Sequence, residues 1–150
     1  ASLKIGSIIG GAHKDEAEKL YNFALNIGLG FQLKDDLLDT FGDETVFGKK
    51  TGGDILTNKK TFLFLKALEL ADVSTKKELL KYYSSNDYEN NQKIEAVKKI
   101  FTKLDVDSIT EKEIEKYFND GIVFLENVKI SKENKEELYK LAYKMIHRSN

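Results

Sequence analysis

The 150-residue chain contains no cysteine and no proline. Without cysteine there are no disulfides, no thiolate metal ligands and no cysteine nucleophile. Average proline usage of about 5% would place roughly seven in a chain of this length. Proline breaks helix interiors, so its absence leaves long helices free to run uninterrupted. Collagen-like, proline-rich and disulfide-framework classes are excluded, and an all-α fold is expected. A dominant charge is missing too. Lysine and arginine number 24 against 25 acids, a net charge of -1, so no general attraction to nucleic acid or anionic membranes is expected. Long hydrophobic runs are also lacking: Ile5 to Ala12 and Phe62 to Ala71 fall well short of the roughly 20 residues a membrane-spanning helix needs. The chain opens Ala-Ser-Leu-Lys, without the basic region and apolar block of a secretory leader and without an initiator methionine. A cytosolic protein, starting as a processed product or a fragment, is the expectation. With 41% hydrophobic and 33% charged residues, the composition is that of a globular domain with a sizeable core.

What is present is unevenly spread. Nine of the ten glycines lie between Gly6 and Gly53, and Gly121 stands alone beyond them. Gly6 and Gly10, four apart, predict a close helix–helix approach. Asp15 to Phe41 is the longest helix expected, with Ala17, Leu20, Tyr21, Ala24 and Leu25 in an apolar stripe. Gly28 and Gly30 interrupt it at a cost of about 1 kcal/mol each relative to alanine, which points to close packing or a bend. Gly42 to Asn58 has no helical periodicity and is long for a structureless connection; such loops are usually functional or disordered. Phe62 to Ala71 is apolar on nearly every face and is expected to be a buried helix. From Thr75 onward the chain is a series of amphipathic helices. Thr75 with Glu78, and Thr110 with Glu113, have the spacing of capping boxes and predict two helix starts. Apolar stripes run through Ile94, Val97, Phe101 and Leu104, through Ile114, Phe118, Ile122 and Leu125, and through Leu138, Leu141, Ala142 and Met145. Neither a repeat nor a domain linker is visible.

The chemistry concentrates in Phe31-Gln-Leu-Lys-Asp-Asp-Leu-Leu-Asp39. On a helix Asp35 and Asp39 stack on one face, with Asp36 beside them and Gln32 one turn earlier. Like charges at this spacing repel unless a cation faces them. Carboxylate oxygens are ligands that Mg²⁺ prefers, usually one or two together with substrate phosphates and water. Taken alone, a D-D-x-x-D also fits a solvated acidic face. The segments after it add Gly48-Lys49, Gly52-Gly53-Asp54 and Asn58-Lys59-Lys60. Glycine-rich backbone lets amides approach an anion, and lysines supply point charges for phosphate. Carboxylates beside a basic, glycine-containing loop form the combination a Mg²⁺–diphosphate ligand needs.

Phe31-Gln32-x-x-Asp35-Asp36-x-x-Asp39, Phe41-Gly42-Asp43, Gly48-Lys49, Gly52-Gly53-Asp54-Ile55 and Asn58-Lys59-Lys60-Thr61 together resemble the second aspartate-rich region of the trans-isoprenyl diphosphate synthases, the polyprenyl synthetases. The motif-bearing match runs from Gly28 to Thr61. Weaker similarity extends to Leu3–Ala12 and to Leu141–Arg148, so the whole chain resembles the C-terminal part of one isoprenoid synthase domain. The resemblance implies an all-α bundle of long helices around a substrate cavity. In it, two aspartate-rich motifs hold Mg²⁺ on an allylic diphosphate, which ionises and is attacked by isopentenyl diphosphate. By position, Asp35 would be a metal ligand, with Asp39 behind it and Asp36 supporting or acting through water. Gln32 would lie near the metal waters or diphosphate, and Phe31 would line the cavity. Lys49 and Lys59 would hold the leaving diphosphate. A homodimer is implied for the complete protein.

The departure from the family pattern is large. The family's first aspartate-rich motif, its lysine-threonine pair and its basic isopentenyl diphosphate site precede the matched region, and this chain has no second D-D-x-x-D. The N-terminal helices are therefore expected to be missing and the polypeptide to be inactive alone. Two alternatives share the fold: a non-catalytic helical interaction subunit, and another class I terpenoid synthase. His13 and His147 are too far apart in sequence to suggest a metal pair. Tyr82, Tyr83, Phe62 and Phe64 are expected in the core, and the lysines around Lys76, Lys98 and Lys132 on solvated helix faces.

Overall fold

The computed structural model describes residues 2–43, 51–84 and 88–146. Among them there are eight helices and no strand: α1 (Ser2–Ile9), α2 (Lys14–Phe41), α3 (Gly53–Leu56), α4 (Phe62–Leu70), α5 (Val73–Ser84), α6 (Asn90–Lys103), α7 (Val106–Glu126) and α8 (Lys132–Ile146). The all-α expectation holds. No described helix is long and apolar enough to cross a membrane. The described residues divide into two compact units, one formed by residues 2–32 with 113–146, the other by those between Leu33 and Lys112. The helices α2 and α7 contribute residues to both.

In the first unit, Leu20, Phe23 and Ile27 of α2 form a core cluster with Leu125, Val128 and Ala142. These α2 residues recur at helical spacing, and Asp15 and Glu16 in the first turn suit the positive end of the helix dipole. Leu125 is fully buried, and burying such a side chain contributes about 1.5–3 kcal/mol. Of the two glycines that interrupt α2, Gly30 is closely packed: a Cβ there would lie 3.0 Å from Ile146 Cδ1 and 3.4 Å from Tyr117 Cβ. A Cβ at Gly28 would meet nothing within 4 Å. Among the described residues the close approach predicted through Gly6 and Gly10 is not found: a Cβ at Gly6 would meet nothing within 4 Å, and one at Gly10 would meet only Gly6 O and Ser7 O of its own segment. On α1 the isoleucines Ile5, Ile8 and Ile9 are exposed instead.

In the second unit, α6 packs against α3, α4 and α5. Its stripe buries Val97, Ile100 and Phe101. Phe64 of α4 stacks on Tyr83 of α5 with ring centroids 4.1 Å apart, in line with a core role for those aromatics. Helix α4 is buried on one side only: Leu63, Phe64 and Ala67 are covered, whereas Leu65 is 55% exposed. An all-apolar sequence does not reveal which face its neighbours will cover. Both predicted helix starts shift. Helix α5 begins at Val73, because the Asp72 carboxylate accepts from Thr75 N at 2.7 Å and so caps the first turn. Thr110 lies inside α7, where its hydroxyl donates to Val106 O at 2.7 Å. A Thr-x-x-Glu spacing also occurs within helices, where the hydroxyl can bond back to the preceding turn. The aperiodic segment that follows α2 contains the four-residue helix α3, and its residues 44–50 lie outside the described ones.

Candidate active site

The acidic segment is continuous helix through to Phe41, so Asp35, Asp36 and Asp39 project from successive positions of one turn. Their surroundings differ. Asp36 is 5% exposed, while Asp35 and Asp39 are half-buried. Phe31 is half-buried and Gln32 exposed on the same helix, one turn before Asp35.

Asp39 organises the chain that returns to α2. Its backbone carbonyl accepts from Gly52 N at 2.6 Å, and its carboxylate Oδ2 accepts from Asp54 N at 2.8 Å. Burial pushes the Asp39 carboxyl above its usual range, against the opposing pull of the Asp54 N–H. Gly52 stands at the entrance to α3 with φ +86°, where a Cβ would lie 2.7 Å from Ile94 Cγ1 and Cδ1. Glycine is required there on both backbone and packing grounds.

After α3 the chain turns sharply. Asn58 adopts φ +56°. Asn58 N donates to Ile55 O at 3.2 Å and Lys59 N to Asp54 O at 2.9 Å. These are the paired bonds of a Schellman termination, with Asn58 in the left-handed position. The turn brings Lys59 back toward α2, where its ammonium donates to Asp36 Oδ1 at 2.9 Å and to Asp54 Oδ2 at 2.7 Å. The two bonds, that to Asp54 first, hold the Lys59 pKa well above its ordinary value. The cation remains 46% exposed, whereas the Asp36 side chain is 7% exposed. A fixed, solvent-facing ammonium with its counter-ions behind it can receive an anion from solution.

The structure therefore brings together Asp36, Asp39 and Lys59 from the residues expected at the site, with Asp35 on the adjoining position of α2. Lys49 and its neighbour Gly48 lie outside the described residues. Among the described residues, no group of three histidine, cysteine, aspartate or glutamate side chains could hold a metal ion. That excludes an all-protein cage within them, but not the mode Mg²⁺ usually takes, in which one or two carboxylates act with phosphate oxygens and water. The hard oxygen donors of Asp35 and Asp39, half-buried one helical turn apart, fit that mode.

Two participants carry roles that the sequence did not assign: Asp54, read there only as part of its glycine motif, and Lys93. Asp54 serves both as the second counter-ion of Lys59 and, through its N–H, as the anchor for Asp39. Lys93 of α6 is 2% exposed and donates from Nζ to Asn58 Oδ1 at 2.7 Å. Burial pushes the Lys93 ammonium below its usual pKa. Its register was a usable signal, since Lys93 falls four residues before Val97 and in phase with the buried stripe of α6.

A family model for polyprenyl synthetases matches residues 1–101. The chain belongs to the polyprenyl synthetase family. Among its polyprenyl synthetase relatives, the short chain isoprenyl diphosphate synthase of Methanocaldococcus jannaschii is 37% identical over 97 residues, 65% of this chain and 30% of that protein. A crystal structure of a geranylgeranyl pyrophosphate synthase superposes with a TM-score of 0.86 at 36% identity, covering 98% of this chain and 46% of the other. The geranylgeranyl pyrophosphate synthase from Corynebacterium glutamicum, complexed with isoprenyl diphosphate and magnesium, gives a TM-score of 0.85 at 27% identity, covering 95% of this chain and 40% of that one. The fold is thus that of the all-α isoprenoid synthases. The chain spans less than half the length of these polyprenyl synthetases.

Proposed function

We propose that this chain is the C-terminal, diphosphate-holding part of a Mg²⁺-dependent prenyltransferase. In the complete protein, an allylic diphosphate loses diphosphate by cleavage of its carbon–oxygen bond, giving an allylic cation. The double bond of isopentenyl diphosphate attacks the cation, and loss of a proton restores the alkene. The observation that carries this reading is the Lys59 ammonium, exposed to solvent and fixed by Asp36 and Asp54 beside the carboxylates of α2.

In this reading Asp35 and Asp39 would hold the metal, and Asp36 would keep Lys59 charged and aimed. Lys59 would donate to an oxygen of the departing diphosphate, with Lys49 as a second ammonium. Gln32 would hydrogen-bond near the diphosphate or metal waters, and Phe31 would line the space for the hydrocarbon chain. Magnesium, when bound, supplies positive charge where negative charge develops on the leaving group. Lys59 supplies the same kind of stabilisation from the protein, and because it is already positioned it needs no reorganisation during reaction.

A single aspartate-rich motif cannot grip a diphosphate from two sides, so the isolated chain would be inactive. A homodimer in the cytoplasm is the proposed form of the complete protein. The test is an assay of diphosphate release from an allylic diphosphate and isopentenyl diphosphate. No turnover is expected from the chain alone. Turnover should appear when a first aspartate-rich motif is supplied on the same polypeptide, and Asp35→Ala should then lower it by about 10²–10³-fold. Equal turnover by Asp35→Ala, with the helical fold intact, would contradict the proposal.

A further inference from the structure

The buried charged residues among the described ones are Asp36 and Lys93. They come from different helices, α2 and α6, and they hold consecutive residues of one turn. Asp36 Oδ1 accepts from Lys59 Nζ at 2.9 Å, and Lys93 Nζ donates to Asn58 Oδ1 at 2.7 Å. We infer that Lys93 is a positioning residue: by holding Asn58 from α6 it sets the direction in which Lys59 presents its ammonium to the diphosphate.

Lysine is almost never fully buried unless it is paired, because its ammonium loses hydration. A leucine at position 93 would continue the buried face of α6 without that cost. The ammonium instead reaches a neutral amide on a residue whose backbone is in the sparsely populated left-handed region, at φ +56°. Asparagine tolerates that conformation, and its side-chain oxygen is the atom that Lys93 Nζ reaches. The bond from Lys93 holds the Asn58 side chain from α6, and it adds to the Schellman pair that orients Lys59 N toward Asp54 O. The next residue of α6 acts at the other end of the same short helix, where Ile94 fills the space that a Cβ on Gly52 would enter. Residues 93 and 94 thus brace both ends of α3, the element that carries Asp54 and leads into Lys59. The ammonium of Lys93 bonds to Asn58, whereas that of Lys59 bonds to Asp36 and Asp54. Its influence on the anion would pass through Asn58.

The inference rests on the proposed diphosphate-holding role of Lys59, and two readouts separate them. The first, amide exchange at Asn58 and Lys59 followed by NMR, needs no ligand. The second is the affinity for inorganic diphosphate with magnesium. The variants are Lys93→Met, which keeps the stem and loses the donor, and Asn58→Gly, which keeps the left-handed backbone and loses the acceptor. Each should speed exchange at both amides and weaken diphosphate binding by about tenfold, the effect of a hydrogen bond to a charged group. Asn58→Asp retains an acceptor for Lys93 and should stay close to the parent in both. In a Lys59→Met background, Lys93→Met should still speed exchange at residue 58 but cause no further loss of affinity. A merely structural role would weaken binding equally in both backgrounds, and that result overturns the inference, as does unchanged amide exchange in Lys93→Met. If the parent chain fails to bind diphosphate, the proposed role of Lys59 falls. The exchange rates then still decide whether Lys93 fixes the turn. Should Lys93→Met not fold, Asn58→Gly carries the same comparison.

Discussion

Lys59 and Asp36 are 23 residues apart in sequence, and their side chains meet at 2.9 Å. The pair is lopsided: the anion is 7% exposed and the cation 46%. Removing the cation leaves a carboxylate that water reaches poorly. Lys59→Met should therefore lower stability by about 2 kcal/mol, more than an ordinary surface ion pair is worth. Asp36→Asn in the same background should recover part of the loss, since a neutral amide costs less than a carboxylate to keep buried. Urea unfolding of the two single variants and the double variant measures the coupling.

Gly52 should resist substitution more than its neighbours. Alanine there would combine φ +86° with a 2.7 Å approach to Ile94. Gly52→Ala should cost about 2–4 kcal/mol, from backbone strain and overpacking together. Adding Ile94→Ala should relieve the steric part and leave the backbone part, and thermal melts of the pair separate the two.

The two glycines within α2 should behave in opposite ways. Gly28→Ala meets open space in a helix interior, so it should stabilise the chain by about 0.5–1 kcal/mol. Gly30→Ala brings a methyl group to 3.0 Å from Ile146 Cδ1. It should gain less or destabilise, depending on how far Ile146 gives way. Melting temperatures measured side by side check the difference.

Asp72 supplies an acid-sensitive contribution. The backbone N–H of Thr75, and then the hydroxyl of Ser74, hold its carboxyl down at about 2 from an ordinary 3.8. A depressed carboxylate stabilises the fold fully above its unfolded value and loses that effect as pH falls through the folded one. Asp72→Ala should therefore melt below the parent at pH 6, and the gap should close between about pH 4 and pH 2. A gap independent of pH would show that the cap acts without its charge.

Much of the architecture was legible because it depends on local pattern. The absence of proline and the apolar stripe from Ala17 placed α2 to within one residue of its observed Lys14–Phe41 span. The stripe at Val97 and Phe101 placed the buried face of α6. The candidate site was legible as a set of residues and not as a set of bonds. Asp35, Asp36, Asp39 and Lys59 carry recognisable chemistry, but the contact of Asp39 with Asp54 N depends on the close approach at Gly52, and that of Lys59 with Asp36 on the turn at Asn58. Lys93 was hidden for the opposite reason. In a lysine-rich chain a lysine on an amphipathic helix suggests solvent, and only its phase with Val97 marks it as inward. The false helix start at Thr110 came from a four-residue pattern that cannot tell a cap from a hydroxyl bonded back to Val106 O.

The central claim is that the acidic turn of α2 and Lys59 form a magnesium-dependent diphosphate site. Its most direct test is calorimetric titration of inorganic diphosphate into the chain, with and without Mg²⁺, for the parent, Asp35→Asn and Lys59→Met. The account predicts binding by the parent that requires Mg²⁺, is abolished by Asp35→Asn and is weakened at least tenfold by Lys59→Met. Binding that persists without the metal, or is equal in all three proteins, would contradict it.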